Sequence, residues 1–166
     1  MLRSAKYWID KLQLLPHPEG GHFKETYRSH ENIRREHLPE RFSDDRNFST
    51  AIFYLLQNEQ CSKLHILKSD EMWHFYDGSG LTIFVIDEKG NLTEQKFGLN
   101  PDEGESPQIM VKAGEWFGAK LNEPDSYCLA GCTVSPGFHF DDFEMGDKKK
   151  LLELFPEHKK IIEQLT

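Results

Sequence analysis

The stretch Ser62-Lys63-Leu64-His65-Ile66-Leu67-Lys68-Ser69-Asp70-Glu71-Met72-Trp73-His74-Phe75-Tyr76-Asp77-Gly78 reads as two strands joined by a short polar turn. Cys61–Leu67 is the first strand and Glu71–Tyr76 the second, which ends in the turn signal Asp77-Gly78-Ser79-Gly80. Successive side chains of a strand point to opposite faces. Strict alternation therefore puts Lys63 and His65 on one face. It also groups Glu71, Trp73 and Phe75, with His74 and Tyr76 on the opposite face. A carboxylate among aromatic rings is costly to bury unless it is paired. The hairpin is thus read as a pocket wall that brings a histidine and Glu71 together.

Outward from this hairpin the pattern remains short strands. Phe23–Arg28, Thr50–Leu56, Leu81–Ile86, Leu92–Phe97, Gln108–Val111, Trp116–Leu121 and Tyr127–Val134 are each bounded by turn residues. Pro16–Gly21, with two prolines and two glycines, reads as a turn. The charged segment His30–Asn47 has no clean period and reads as a long loop or a distorted hairpin. Ser4 caps a helix carrying Ala5, Trp8, Ile9 and Leu12. At the other end Leu151, Leu152, Leu154 and Phe155 form a helical apolar patch, and Pro156 begins a second short helix with Ile161, Ile162 and Leu165. Eight or more short strands flanked by short helices predict a mainly β sandwich or barrel. A length of 166 residues suits one domain over residues 1–166.

The net charge of −8, with no block of basic residues, gives a nucleic-acid partner no electrostatic support. No apolar run approaches the ~20 residues that cross a bilayer, so no membrane partner is expected. The start Met1-Leu2-Arg3-Ser4-Ala5-Lys6-Tyr7 lacks a signal-peptide core, so a cytoplasmic location is expected. Cys61, Cys128 and Cys132 lack CxxC spacing and read as reduced thiols, with Cys128 and Cys132 packed on one strand face.

The spacing Lys63-x-His65, Glu71 and Gly78 resembles the first motif of the cupins: His-x-His, a turn, Glu, six residues, Gly. Lys112-Ala113-Gly114-Glu115-Trp116-Phe117 resembles their second motif, Pro-x-Gly-x-x-His. His17-Pro18-Glu19-Gly20-Gly21-His22-Phe23-Lys24-Glu25-Thr26-Tyr27-Arg28-Ser29 and Cys132-Thr133-Val134-Ser135-Pro136-Gly137-Phe138, together with Glu71–Gly78, are similar to the small "cupin five" family of unassigned function. The resemblance spans nearly the whole chain. It implies a cupin double-stranded β-helix, or jelly-roll barrel, with short helices at both ends. It also implies a homodimer in which Phe23–Arg28 is the interfacial strand.

Metal-dependent cupins use three histidines and a glutamate. Here Lys63 and Phe117 stand at two of the histidine positions, so no metal cofactor is expected. The alternative metal set is His65, Glu71 and His74, which requires a bulge to turn His74 inward. The segment Glu19–Glu25 is similar to one in the metal-independent dTDP-dehydrorhamnose epimerases. That likeness implies a nucleotide or nucleotide sugar held by Phe23 and Glu25, with His65 as base. Epimerisation needs a base, an acid and a group that stabilises the enolate. His65, Tyr127 (or Tyr54) and Lys63 are the candidates in that order. The expected pocket lining is Phe23, Glu25, Tyr27, Glu71, Trp73, Phe75, Trp116 and Phe117. Two bland readings stand beside this one: His65 as a satisfied core histidine, with Glu71 paired to Lys63 or Arg28, and the aromatic residues as plain core. The function these resemblances imply is a metal-independent small-molecule-binding cupin whose pocket suits a sugar nucleotide or similar polar ligand, of carbohydrate epimerase or isomerase type. The alternatives are a metal-dependent isomerase or oxygenase, or a binding or storage module without turnover.

Overall fold

Alternating apolar and polar positions build the strands of this computed structural model, which describes residues 3–166. Met1 and Leu2, part of the N-terminal stretch read above, lie outside the described residues. In chain order the strands are β1 (Leu15–Pro16), β2 (His22–Arg28), β3 (Asn32–Ile33), β4 (Arg46–Asn47), β5 (Thr50–Gln57), β6 (Cys61–Leu67), β7 (Asp70–Gly78), β8 (Leu81–Ile86), β9 (Leu92–Phe97), β10 (Gln108–Val111), β11 (Trp116–Leu121), β12 (Tyr127–Ser135) and β13 (Phe143–Met145). The helices are α1 (Ala5–Leu12), α2 (Lys148–Leu154) and α3 (Lys159–Gln164). One sheet has the order β1-β2-β5-β12-β7-β10 and the facing one β13-β6-β11-β8-β9, with all named strands antiparallel to their neighbours. This is the expected jelly roll. The segment 30–47, expected as a loop or distorted hairpin, is a small β3–β4 hairpin around a 3₁₀ turn at Arg35–His37. No helix among the described residues is long and apolar enough to cross a membrane.

The two inner faces meet in a core that includes Tyr54, Trp73, Phe97 and Phe117, all essentially inaccessible. The outer face of the second sheet is covered by the C-terminal helices. There Leu64 and Phe84 pack on Leu151, Ile161, Ile162 and Leu165. Fully buried aliphatic side chains of this size each contribute about 1.5–3 kcal/mol of transfer free energy. Ser4 caps α1 by accepting from the Tyr7 N–H. That helix covers Leu55 and Leu129 on the first sheet, together with Leu14 of the connection to β1. Trp8 and Tyr127 fasten it by donating to Asp77 Oδ2 at 2.7 and 2.9 Å.

Two β-bulges decide which side chains enter the barrel. In β6, Phe117 pairs with His65 and Ala119 with Ser62, so Lys63 and Leu64 together oppose Gly118 alone. An extra residue in one strand flips the alternation beyond it. Ser62 therefore joins His65 on the inner side, Leu64 turns to the helices, and Lys63 is exposed. The bulged residues still satisfy their N–H groups: Lys63 donates to the Glu19 carbonyl at 2.9 Å and Leu64 to the Leu165 carbonyl at 2.7 Å. In β2 the register slips between Glu25 and Tyr27. Phe23, Glu25 and Arg28 consequently line the cavity, while Tyr27 is 53% exposed.

Candidate functional site

At the end of the barrel beside β13 the core gives way to a cavity of about 190 Å³. Four titratable side chains meet there: His17 and Glu19 from the turn before β2, His65 from β6 and Glu71 from β7. The turn carrying Glu19 is forced by glycine. Gly20 and Gly21 have φ of +114° and +70°, and a Cβ on Gly20 would lie 2.1 Å from the Cys61 carbonyl oxygen. Only glycine allows so close an approach of this turn to β6. The close approach delivers the Glu19 carboxylate, on a residue 7% exposed, into the cavity.

His65 is 2% exposed and held at both ends. Its Nδ1 donates to the Lys63 carbonyl at 2.7 Å, which fixes the tautomer because a carbonyl can only accept. Nε2 then lies 3.3 Å from Glu19 Oε2. One proton between these atoms completes the contact, as neutral imidazole with carboxylic acid or as imidazolium with carboxylate. The other Glu19 oxygen accepts from Ser62 Oγ at 3.0 Å. His17 Nδ1 accepts from the Glu19 N–H at 3.3 Å, so neutral His17 carries its proton on Nε2. The Phe117 ring packs behind His65 with centroids 4.1 Å apart.

Burial tunes all four groups toward their neutral forms. It lowers the proton affinity of His65, with the Glu71 charge pulling the other way. His17 is lowered by burial, against the opposing charge of Glu19. Burial raises Glu19, opposed by His17 and by the Ser62 hydrogen bond. Glu71 is pushed up to about 7, first by burial and then by the negative charge of Glu19. Cys132, also on the cavity wall, is held as a thiol by burial beside Glu71.

The mouth is formed by β2 and by the strap that follows β12. Arg28 donates through Nε and Nη2 to the two Glu25 oxygens at 3.0 and 2.7 Å. Its Nη1 donates to Asn47 Oδ1 at 2.8 Å and to the Phe138 carbonyl at 3.0 Å. Phe138, Phe140 and Phe143 stack edge to face across the strap. The strap is anchored from below, where buried Asp142 accepts from Arg46 Nη2 at 2.7 Å.

The structure brings together His65, Glu71, Phe23 and Glu25 of the expected site. Four other assignments are corrected, and the alternative metal role of His74 is removed because it stays on the face where alternation put it. Lys63 is turned out to solvent by the β6 bulge, so it stabilises no enolate in the cavity. Tyr127 sits outside the barrel, its one O–H donated to Asp77 Oδ2 at 2.9 Å with the Arg3 carbonyl also within 3.1 Å, and is not an acid of this site. Tyr27 is displaced by the β2 bulge, and Arg28 takes the inward position. Trp116 faces the C-terminal helices, because its neighbour Phe117 faces inward. His74 lies on the outer face of the first sheet, where Nε2 meets Thr133 Oγ1 at 3.2 Å and Nδ1 meets Gln108 Nε2 at 3.1 Å. Trp73, Phe75 and Phe117 do face inward, as packed core behind the cavity rather than as its lining. Glu19 and His17 escaped notice because a carboxylate and a histidine in a Pro- and Gly-bearing turn carry no periodicity. The paired glycines, which need a reason to follow a carboxylate, were the available signal.

The superfamily's metal set does not fit these residues. Phe117 holds the second-motif histidine position against His65, Lys63 is outside, and His74 is on the wrong face. Among the described residues no group of three or more His, Cys, Asp or Glu side chains converges closely enough to hold a metal ion. A larger, open depression of about 870 Å³ lies between α3 and the outer face of the second sheet. None of its titratable side chains is buried.

Residues 6–146 match Cupin_5, described as a cupin superfamily family (DUF985). The uncharacterized protein YML079W of Saccharomyces cerevisiae is 32% identical over 148 residues, covering 84% of this chain and 73% of that protein. Among solved structures, protein SO0799 from Shewanella oneidensis aligns with a TM-score of 0.90 at 38% identity, covering 99% of this chain and 98% of its own. A hypothetical protein from Leishmania major aligns with a TM-score of 0.87 at 34% identity, covering 99% of both chains. The oxalate decarboxylase of Bacillus subtilis shares the fold, with a TM-score of 0.55 at 16% identity over 91% of this chain and 36% of that one.

Proposed function

The chain belongs to the Cupin_5 family of the cupin superfamily, and from that premise we propose a metal-independent proton-transfer enzyme of the epimerase or isomerase type. Its substrate is a small polar carbonyl compound. The observation that carries the reading is the buried His65–Glu19 pair, with Nε2 and Oε2 3.3 Å apart at the cavity wall and the tautomer fixed from behind. With its shared proton lost, as neutral imidazole beside carboxylate, the pair takes one proton from a C–H next to a carbonyl and holds it between Oε2 and Nε2. Glu71 stands on the facing sheet, with its proton affinity raised to about 7. It is half-protonated near neutral pH and can donate to the oxygen or carbon of an enolate from the other wall. A base on one wall and an acid on the other, with affinities pushed toward the working pH, is the arrangement that proton removal and return require.

Phe23 and the Glu25–Arg28 fork at the mouth contact whatever part of the ligand projects outward. In a nucleotide sugar only the sugar end fits within about 190 Å³. The test is exchange of substrate α-protons in D₂O, followed by loss of the ¹H signal, over a panel of aldoses, ketoses and keto sugars. Exchange is expected with the wild-type protein and should fall at least about 100-fold in His65→Asn and in Glu19→Gln, the scale of general acid–base catalysis. Exchange that survives both substitutions overturns the assignment of the base. Metal-chelator treatment is expected to leave exchange intact, and its loss would return the metal-dependent reading.

A further inference from the structure

Resting on the proton-transfer reading of the same cavity, we propose that its ligand is an uncharged, hydroxyl-rich carbonyl compound of monosaccharide size, taken without any phosphate. The first support is charge. The cavity and its mouth carry three carboxylates, Glu19, Glu25 and Glu71, against one guanidinium, Arg28, and no lysine lines them. Arg28 is already committed. Four of its five N–H groups are used, two on Glu25 and one each on Asn47 and the Phe138 carbonyl. The remaining candidate cation at the mouth, His139, has its Nδ1 turned to the Asp141 N–H at 3.2 Å. Phosphate recognition calls for free arginine or lysine donors or an open helix N-terminus, and this lining offers neither. A phosphate here would meet no free cation, in a space where burial already resists ionisation of Glu19 and Glu71.

The second support is size and lining. About 190 Å³ is the space of a three- to six-carbon sugar and too little to enclose a nucleotide. Its polar groups suit hydroxyls: carboxylate oxygens of Glu19 and Glu71 accept, and the Nε2–H of neutral His17 donates. Phe23, Phe138 and Phe143 supply flat apolar surface for the C–H face of a sugar.

Two measurements decide the matter. The first is binding, by protein-observed NMR, of free trioses to hexoses, their alditols, the corresponding phosphates, and nucleotide sugars. Free sugars and alditols are expected to shift signals of the cavity residues at millimolar concentration, and the phosphorylated compounds to bind at least tenfold more weakly. The second is the same comparison in Glu25→Ala, which releases the Arg28 fork. Phosphates are expected to gain at least tenfold in affinity there, while free sugars do not. Tighter binding of phosphates or nucleotide sugars by the wild-type protein overturns the proposal, as does failure of every free sugar and alditol to bind. Alditols have no carbonyl, so their binding isolates the ligand class from the chemistry. Free-sugar binding without α-proton exchange keeps the class and refutes the enzyme. Exchange confined to phosphorylated substrates does the reverse.

Discussion

Replacing Glu71 by glutamine should change the pH dependence of stability in a calculable way. In the unfolded chain this carboxyl titrates near 4.5, and in the folded protein near 7, because burial and the Glu19 charge oppose ionisation. Below about 4.5 both states are protonated and the group contributes no slope. Between 4.5 and about 7 the unfolded chain releases a proton that the native state keeps, so stability falls as pH rises. Above about 7 both states are ionised and the slope vanishes. At ~1.4 kcal/mol per pH unit the interval amounts to roughly 3 kcal/mol. Glutamine has the same shape and no titration. The stability of Glu71→Gln relative to wild type should therefore rise by roughly 3 kcal/mol between pH 4.5 and pH 8, whatever the sign of the difference at low pH. His65 works in the other direction, since its lowered affinity costs stability as pH falls through 6.5, but it is present in both proteins and largely cancels. The assay is urea unfolding by tryptophan fluorescence at half-unit pH intervals. With a urea slope of roughly 2 kcal/mol/M, the gap between midpoints should widen by about 1.5 M. A gap that stays constant from pH 4.5 to 8 would refute the buried, strained ionisation of Glu71, and with it the acid assigned to that wall.

Three further perturbations test the scaffold. Gly20→Ala puts a methyl against the Cys61 carbonyl at a φ of +114°. It is expected to cost about 2–4 kcal/mol in urea unfolding and to abolish α-proton exchange with the displaced Glu19. The control Gly104→Ala, at φ +81° with nothing within 4 Å, should cost only about 1 kcal/mol and leave exchange alone. Asp142→Asn leaves the Arg46 guanidinium buried and unpaired, and should cost about 3–5 kcal/mol, with much of that recovered in Arg46→Met/Asp142→Leu. The homodimer implied by the cupin resemblance is proposed to form on the outer face of the first sheet. There Tyr27, Ala51, Thr133, Met72 and Met110 lie in register across five strands without a charge. Tyr27→Lys/Met110→Lys should halve the sedimenting mass, and an unchanged mass would place the contact elsewhere.

The fold was legible because strands announce themselves through turn residues and alternation. Among the described residues nine strands and the three helices stand close to where the sequence puts them, the β3–β4 pair is one of the two forms expected for 30–47, and the short β1 and β13 escaped. The site was legible only in part, and the misplacements of Lys63 and Tyr27 share one physical reason. Alternation carries inward and outward assignments along a strand only while the register is unbroken. A single extra residue in β6 exchanged Lys63 for Ser62 on the inner side behind Glu19, and another in β2 exchanged Tyr27 for Arg28 at the cavity. Neither bulge has a marker in its own strand. Each is defined by the partner strand and by outside groups, the Glu19 and Leu165 carbonyls, that satisfy the displaced N–H groups of β6.

The β6 exchange also changes the chemistry open to the protein. With Lys63 inside, the wall would carry a cation beside His65. With Ser62 there, the wall becomes a neutral donor to Glu19, and the carbonyl of the expelled Lys63 sets the His65 tautomer. The same bulge thus expels the charge, orients the imidazole and, through the Lys63 N–H, fixes the turn that supplies Glu19. A histidine and a serine of β6 and a carboxylate from the distant turn before β2 become one proton-sharing unit by a displacement of one residue.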